Sequence, residues 1–248
     1  MAATNKERVM IETSRTVSSA VRSRQRVLAV FLPLTALLYI ATEATNPKGV
    51  DQVITTSAIA AKVLPIAQQH TTQLYIAGTL SLFALAALAV SFAAIATMVR
   101  ERGSTLATVA ALLGGVGYLC GIVANVFVGI NLAMVASAHI PQEAAAQVLI
   151  TTFRSGVDQA LFAVYAGAEY IAPILMCIAL WRSRCVPRWL ALLFVVGTEI
   201  AQQVPSAGPV KVVLLMAPFG VALVLLAIRI WQGAGGPVVT ALEPVSVA

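Results

Sequence analysis

The stretch VDQALFAVYAGAEYIAPILMCIALWRSRCVPRWLALLFVVGTEIAQQV, Val157 to Val204, decides the fold. Two apolar runs flank the basic turn Arg182-Ser183-Arg184-Cys185-Val186-Pro187-Arg188, and each run carries one carboxylate, Glu169 and Glu199. Glu169 stands 13 residues before Arg182 and Glu199 stands 11 residues after Arg188. At about 1.5 Å per helical residue, both acids lie about 16 to 20 Å from the turn. In a hydrocarbon layer about 30 Å thick that depth is near the middle. Helices joined by a short turn pack side by side, so the two acids are expected to meet or to share a partner.

Working outward, the whole chain has the same character. Of its 248 residues 59% are hydrophobic and 10% charged, and the mean hydropathy is +0.89. Soluble domains are about one-quarter charged, so this composition predicts an all-α integral membrane protein, with the lipid bilayer as its surroundings. The length suits a bundle of six transmembrane helices and leaves no room for a second soluble domain of ordinary size. The net charge of +6 does not point to nucleic acid, because the basic residues gather at span ends instead of interleaving with aromatics. Cys120, Cys177 and Cys185 are isolated, with no CxxC spacing, which argues against a disulfide framework.

The expected spans are 27–44, 74–99, 105–128, 157–181, 189–204 and 210–231, within a transmembrane domain of residues 27–232. Residues 1–26 read as a polar cytoplasmic tail and residues 233–248 as a disordered one. The first span is expected to be an uncleaved signal anchor. Two longer outer connections each contain apolar residues at helical spacing. One follows Asn46-Pro47-Lys48-Gly49 and the other follows Pro141, so each predicts a short amphipathic helix on the outer face. The apolar character of the third span persists to about Ala138, too long for one upright helix, so that segment must tilt, kink or emerge.

Charge asymmetry orients the bundle. With the N-terminus cytoplasmic, twelve basic residues fall inside: Lys6, Arg8, Arg15, Arg22, Arg24, Arg26, Arg100, Arg102, Arg182, Arg184, Arg188 and Arg229. Lys48, Lys62, Arg154 and Lys211 fall outside, and an even number of spans puts both termini in the cytoplasm. Trp181, Trp189 and Trp231 sit at the same inner boundary, where indole rings prefer to lie.

The polar residues inside the spans are the candidate site. A central charge costs about 2.5 to 3.5 kcal/mol on the insertion scale, and each Leu, Ile, Phe or Val returns only about 0.3 to 0.6 kcal/mol. The apolar residues of the fifth span therefore roughly offset Glu199 and leave Gln202 and Gln203 uncompensated, so this helix is expected to insert only with help from its neighbours. In the fourth span Pro173 removes the N–H that would pair with the Glu169 carbonyl. Tyr165 and Asp158 fall on the Glu169 face at spacings of four and seven, which predicts a polar track from the outer surface to mid-membrane with Asp158 at its mouth. Gly114, Gly117, Gly121, Asn125 and Gly129 recur at threes and fours in the third span, the pattern of a helix-packing seam. Pro33, Pro173 and Pro218 mark helix kinks. His70 and His139 lack metal-ligand spacing and read as loop residues, so neither a metal nor a cofactor is expected.

With Arg100-Glu101-Arg102-Gly103 closing the second span and Trp181-Arg-Ser-Arg-Cys-Val-Pro-Arg-Trp189-Leu190 linking the fourth and fifth, the chain resembles a known group over residues 22–232. These are alanine-rich, six-span bacterial membrane proteins, frequent in high-GC Gram-positive genomes and of unknown function. The resemblance implies a bacterial cytoplasmic membrane and supplies no catalytic residues. The residues themselves support three expectations. The first is a small proton-responsive carrier using Glu169 and Glu199. The second is a non-catalytic partner or regulatory subunit, as part of a membrane complex or a homo-oligomer, docking through the glycine stripe. The third is an intramembrane enzyme acting on a lipid-like substrate. The chain has no P-loop, Rossmann fingerprint or GxSxG motif, so a non-enzymatic role is favoured.

Overall fold

The computed structural model of the chain describes residues 21–50, 54–100, 102–125, 129–138, 140–203 and 209–233. Most of the expected N-terminal tail, the C-terminal tail beyond Gly233, and His139 lie outside the described residues, as does the side chain of Asn125. The described residues form helices and no strands. In chain order these are α1 (Phe31–Thr45), α2 (Ser57–Gln69), α3 (Thr71–Ala96), α4 (Ser104–Asn125), α5 (Asn131–Ser137), α6 (Gln142–Phe153), α7 (Gly156–Ser183), α8 (Arg188–Gln203) and α9 (Pro209–Trp231). Five helices are long and apolar enough to cross a membrane: Val21–Thr45, which contains α1, then α3, α4, α7 and α9. The remaining expected span is α8, whose 16 residues reach about 24 Å.

Six helices close a ring in which chain neighbours are spatial neighbours. The order is α1, α3, α4, α7, α8, α9 and back to α1, and the α4–α7 seam is the most extensive. Alanine dominates the seams: Ala29, Ala84, Ala94, Ala107, Ala110, Ala168, Ala172, Ala179, Ala191 and Ala222 are buried. Lipid tails are as apolar as leucine, so helices in a bilayer associate by close backbone packing, and small side chains permit it. Larger groups fill the centre, where the Phe92 ring meets Tyr118 at 5.6 Å and Phe194 at 5.8 Å between centroids. Polar bonds cross the seams too. The buried hydroxyls of Thr35 on α1 and Ser91 on α3 lie 2.9 Å apart, and Thr35 also donates to the Phe31 carbonyl.

The two ends of the ring differ. At one end Arg26 stacks over Trp231, Arg188 stacks over Trp181, and Gln25 donates to the Thr97 carbonyl. Gly103 takes φ +97° there, and an added Cβ would stand 2.8 Å from the Ala179 carbonyl oxygen, so that turn favours glycine. This end gathers Arg22, Arg24, Arg26, Arg100, Arg102, Arg182, Arg184, Arg188 and Arg229, nine of the twelve residues that charge asymmetry groups together. The opposite end carries a small cap of α2, α5 and α6 with its own apolar core, which includes Val63, Leu64, Ala133, Ala145 and Leu149. Arg154, at the end of α6, donates to the Thr55 carbonyl and ties the cap's two sides together.

Several boundaries differ from those expected. The helix of the first outer connection begins at Ser57, where the Thr56 side chain caps it by accepting from the Ile59 amide. Within the long third apolar run, α4 is described as far as Asn125 and α5, from Asn131, belongs to the cap, while residues 126–128 between them lie outside the described residues. Pro33 sits in the first turn of α1, and the helix continuing from Val21 is interrupted at Val30, beside the Ala29 carbonyl that Pro33 leaves without its amide. Pro173 and Pro218 lie within continuous helices.

Candidate functional site

The α4–α7 seam positions the first acid. On α4 an added Cβ at Gly117 would overlap the Ala168 side chain, and one at Gly114 would press on Phe92 and Ala172. The two backbones therefore approach as only small residues allow. One turn further along, a Cβ at Gly121 would stand 2.5 Å from the Tyr165 ring, so that ring occupies the hollow glycine leaves. Held there, the Tyr165 hydroxyl donates to Glu169 Oε1 at 2.7 Å. Gly129 stands apart from this seam: its nearest neighbour is Gly78 on α3. The stripe thus serves two helices, and its α7-facing part is covered within the chain.

The second acid sits on α8. Gly197 packs against the α9 backbone so closely that a Cβ would stand 2.7 Å from the Phe219 amide nitrogen. Two residues on, Glu199 points away from that contact. It shares a side with Leu192 and Val196, which are 46% and 51% exposed, yet its Oε1 is buried and has no hydrogen-bond partner among the described residues. Glu169 and Glu199 are close enough to interact electrostatically.

Two further tyrosines join them. Tyr118 on α4 is fully buried, its hydroxyl without a partner among the described residues, and it lies within electrostatic reach of Tyr39, Glu169 and Glu199. Tyr39 on α1 reaches both Glu169 and Glu43 in the same sense and stacks edge-on to Phe219. These side chains share one depth. Tyr39 is 13 residues from Arg26 and Tyr118 is 14 from Ser104, placing each about 20 Å from the basic end, level with the acids. A run of rings, Phe194, Phe92, Tyr118, Tyr165, Phe162 and Phe153, leads from α8 through the bundle to the cap with each centroid 5.6 to 6.3 Å from the next.

Asp158 lies at the end of α7 opposite the basic turn. It occupies the first turn of α7, where Ser155 caps the helix by accepting from the Asp158 amide at 3.2 Å, and its side chain is only 3% exposed. Its Oδ1 is buried without a hydrogen-bond partner among the described residues. A second stripe runs along α1: Thr35, Tyr39, Glu43 and Asn46 follow at spacings of four, four and three. Asn46 lines an open cleft of about 440 Å³ together with Lys48, His70 and Gln73. Sequence reasoning missed Tyr39 and Tyr118, because a tyrosine inside an apolar run reads as core. The signal that finds them is their depth, which matches that of Glu169.

A family model for a domain of unknown function, DUF4386, matches residues 34–232, about four-fifths of the chain. The chain belongs to the DUF4386 family. Tyr39, Glu43, Tyr118, Tyr165, Glu169 and Glu199 all fall inside the DUF4386 region. No curated protein and no solved structure matches the chain.

Proposed function

We propose that the protein is a small proton-responsive carrier in which Glu169 and Glu199 form the working pair. One observation carries this reading: an acid held by the Tyr165 hydroxyl lies within electrostatic reach of a second acid at the same depth of an apolar bundle. Intramembrane carboxylates are costly and normally belong to ion pathways or ligand sites. Protonating either acid changes both the charge and the hydrogen-bonding of a cluster that touches α1, α4, α7 and α8. The stripe on α1 from the Asn46 cleft to Tyr39 supplies the outer access route.

In this reading all six ring helices cross a bacterial cytoplasmic membrane, with the arginine-rich end and both termini inside. Short as it is, α8 fills the gap between α7 and α9, and its neighbours offset the cost of Glu199. The role is non-enzymatic. A partner subunit would need a docking surface other than the Gly114 to Gly121 seam, which α7 covers.

The test is thermal stability in detergent from about pH 5 to 8, comparing the wild type with Glu169→Gln and Glu199→Gln. The wild-type stability is expected to change with pH, and either substitution to flatten the curve. Three coincident curves would overturn the reading.

A further inference from the structure

The packing around the acid cluster is uneven. Of the six seams in the ring, α7–α8 is the most sparsely packed. At that seam Glu199 shares the flank of α8 with the exposed Leu192 and Val196 while turning Oε1 inward. Further in, the fully buried Tyr118 hydroxyl has no partner among the described residues and lies within electrostatic reach of Glu199. A buried hydroxyl and a buried carboxylate oxygen left without partners each carry a free-energy cost, and a donor with two N–H groups would satisfy both. The Tyr118 and Tyr165 rings meet edge to face nearby, 6.3 Å between centroids.

We propose that the site binds an amphiphilic organic cation, a protonated amine with an apolar body, entering from the bilayer between α7 and α8. The ammonium group donates to Glu199 and to the Tyr118 oxygen, while the apolar body remains among the aromatic rings and the lipid-facing flank of α8. This inference rests on the reading of Glu169 and Glu199 as a working pair, and it names the class of ligand that pair serves. The apolar body is what distinguishes it from a hydrophilic cation, because the route through the seam passes the exposed Leu192 and Val196 before it reaches Glu199.

The experiment uses the full chain in lipid nanodiscs and reads the thermal midpoint against added 4-phenylbutylammonium, methylammonium and the neutral 4-phenylbutanol. The amphiphilic amine is expected to raise the midpoint saturably, and the other two to leave it unchanged. Glu199→Gln should weaken the half-saturating concentration about tenfold or more, and Tyr118→Phe about fivefold. Should Glu199→Gln fail to fold, Glu199→Asp and Tyr118→Phe decide, with the aspartate variant retaining the amine response. Equal shifts from the amine and the alcohol, showing apolar partitioning only, would overturn the proposal, as would an amine response unaffected by Tyr118→Phe. If the pH dependence of stability persists while the amine has no effect, this inference alone falls. If the amine binds while the pH curves coincide, the proton-responsive reading falls instead.

Discussion

The Tyr165 hydroxyl and the Glu169 carboxylate meet at 2.7 Å across one turn of α7, in a hollow that exists because residue 121 on α4 has no side chain. A hydrogen bond between membrane-buried side chains contributes about 0.6 to 1.7 kcal/mol. Tyr165→Phe should therefore lower unfolding stability by about 1 kcal/mol. In a double-mutant cycle with Glu169→Gln, measured by denaturant titration in mixed micelles, the two changes should be non-additive. Full additivity would mean that the hydroxyl and the carboxylate do not act together.

Gly117 and Gly115 differ by two positions and by which way they face. A Cβ at Gly117 would overlap Ala168, whereas one at Gly115 meets nothing within 4 Å. Gly117→Ala is expected to destabilise by about 1 to 3 kcal/mol through overpacking. Gly115→Ala should be neutral, or stabilising by up to about 1 kcal/mol through helix propensity. Thermal midpoints of the two variants in one detergent give the comparison directly, and equal midpoints would contradict the α4–α7 seam.

Thr35 and Ser91 share a fully buried hydroxyl pair between α1 and α3. Ser91→Ala leaves the Thr35 hydroxyl its bond to the Phe31 carbonyl, so it should cost about 1 kcal/mol or less. Thr35→Val strands the Ser91 hydroxyl and should cost more, unless Ser91 turns to its own helix carbonyl. Joining the two substitutions should cost less than their sum, a result readable from the same unfolding titration.

Cys185 lies in the turn between α7 and α8, outside the spans. Burial pushes its thiol up from the usual value of 9.0, and the Ser183 hydroxyl, which donates to the sulfur at 3.0 Å, pulls it partly back. Less thiolate at neutral pH means slow alkylation, and Ser183→Ala should make it slower still. Because the raised value belongs to the folded state, the unfolded chain loses its proton first as pH rises. The stability contributed by the protonated thiol is present below pH 9.0 and is lost as pH climbs through the folded value. Mass-spectrometric mapping of iodoacetamide labelling at Cys185 across pH measures the first effect, and alkaline unfolding of wild type against Cys185→Ala measures the second.

The apolar segments were legible in the chain because hydropathy and span length are local properties. The helix from Gly156 to Ser183 and the one from Arg188 to Gln203 lie within one or two residues of the segments read around Arg182 to Arg188. The pairing of Tyr165 with Glu169 is likewise local, being one helical turn. What needed three dimensions was every relationship between helices. Only depth distinguishes Tyr39 and Tyr118 from packing aromatics in the sequence, and its meaning appears once α1, α4 and α7 are set side by side. Gly129 continues the glycine spacing in sequence, yet it meets Gly78 on α3 and not α7. The burial of Asp158 is likewise a relationship that a helical count along α7 alone does not contain.

The ring has a consequence for how the protein is made. Each helix up to α8 can pack on the one synthesised just before it, but α1 keeps one flank open until the last helix emerges. Only α9 brings Phe219 against Tyr39 and Trp231 under Arg26. The same helix covers Gly197 on α8, the segment least able to remain in lipid alone. A chain stalled on the ribosome before Pro209 would therefore hold an unclosed bundle with its second acid unsupported, a nascent form that quality-control proteases should distinguish from the finished protein.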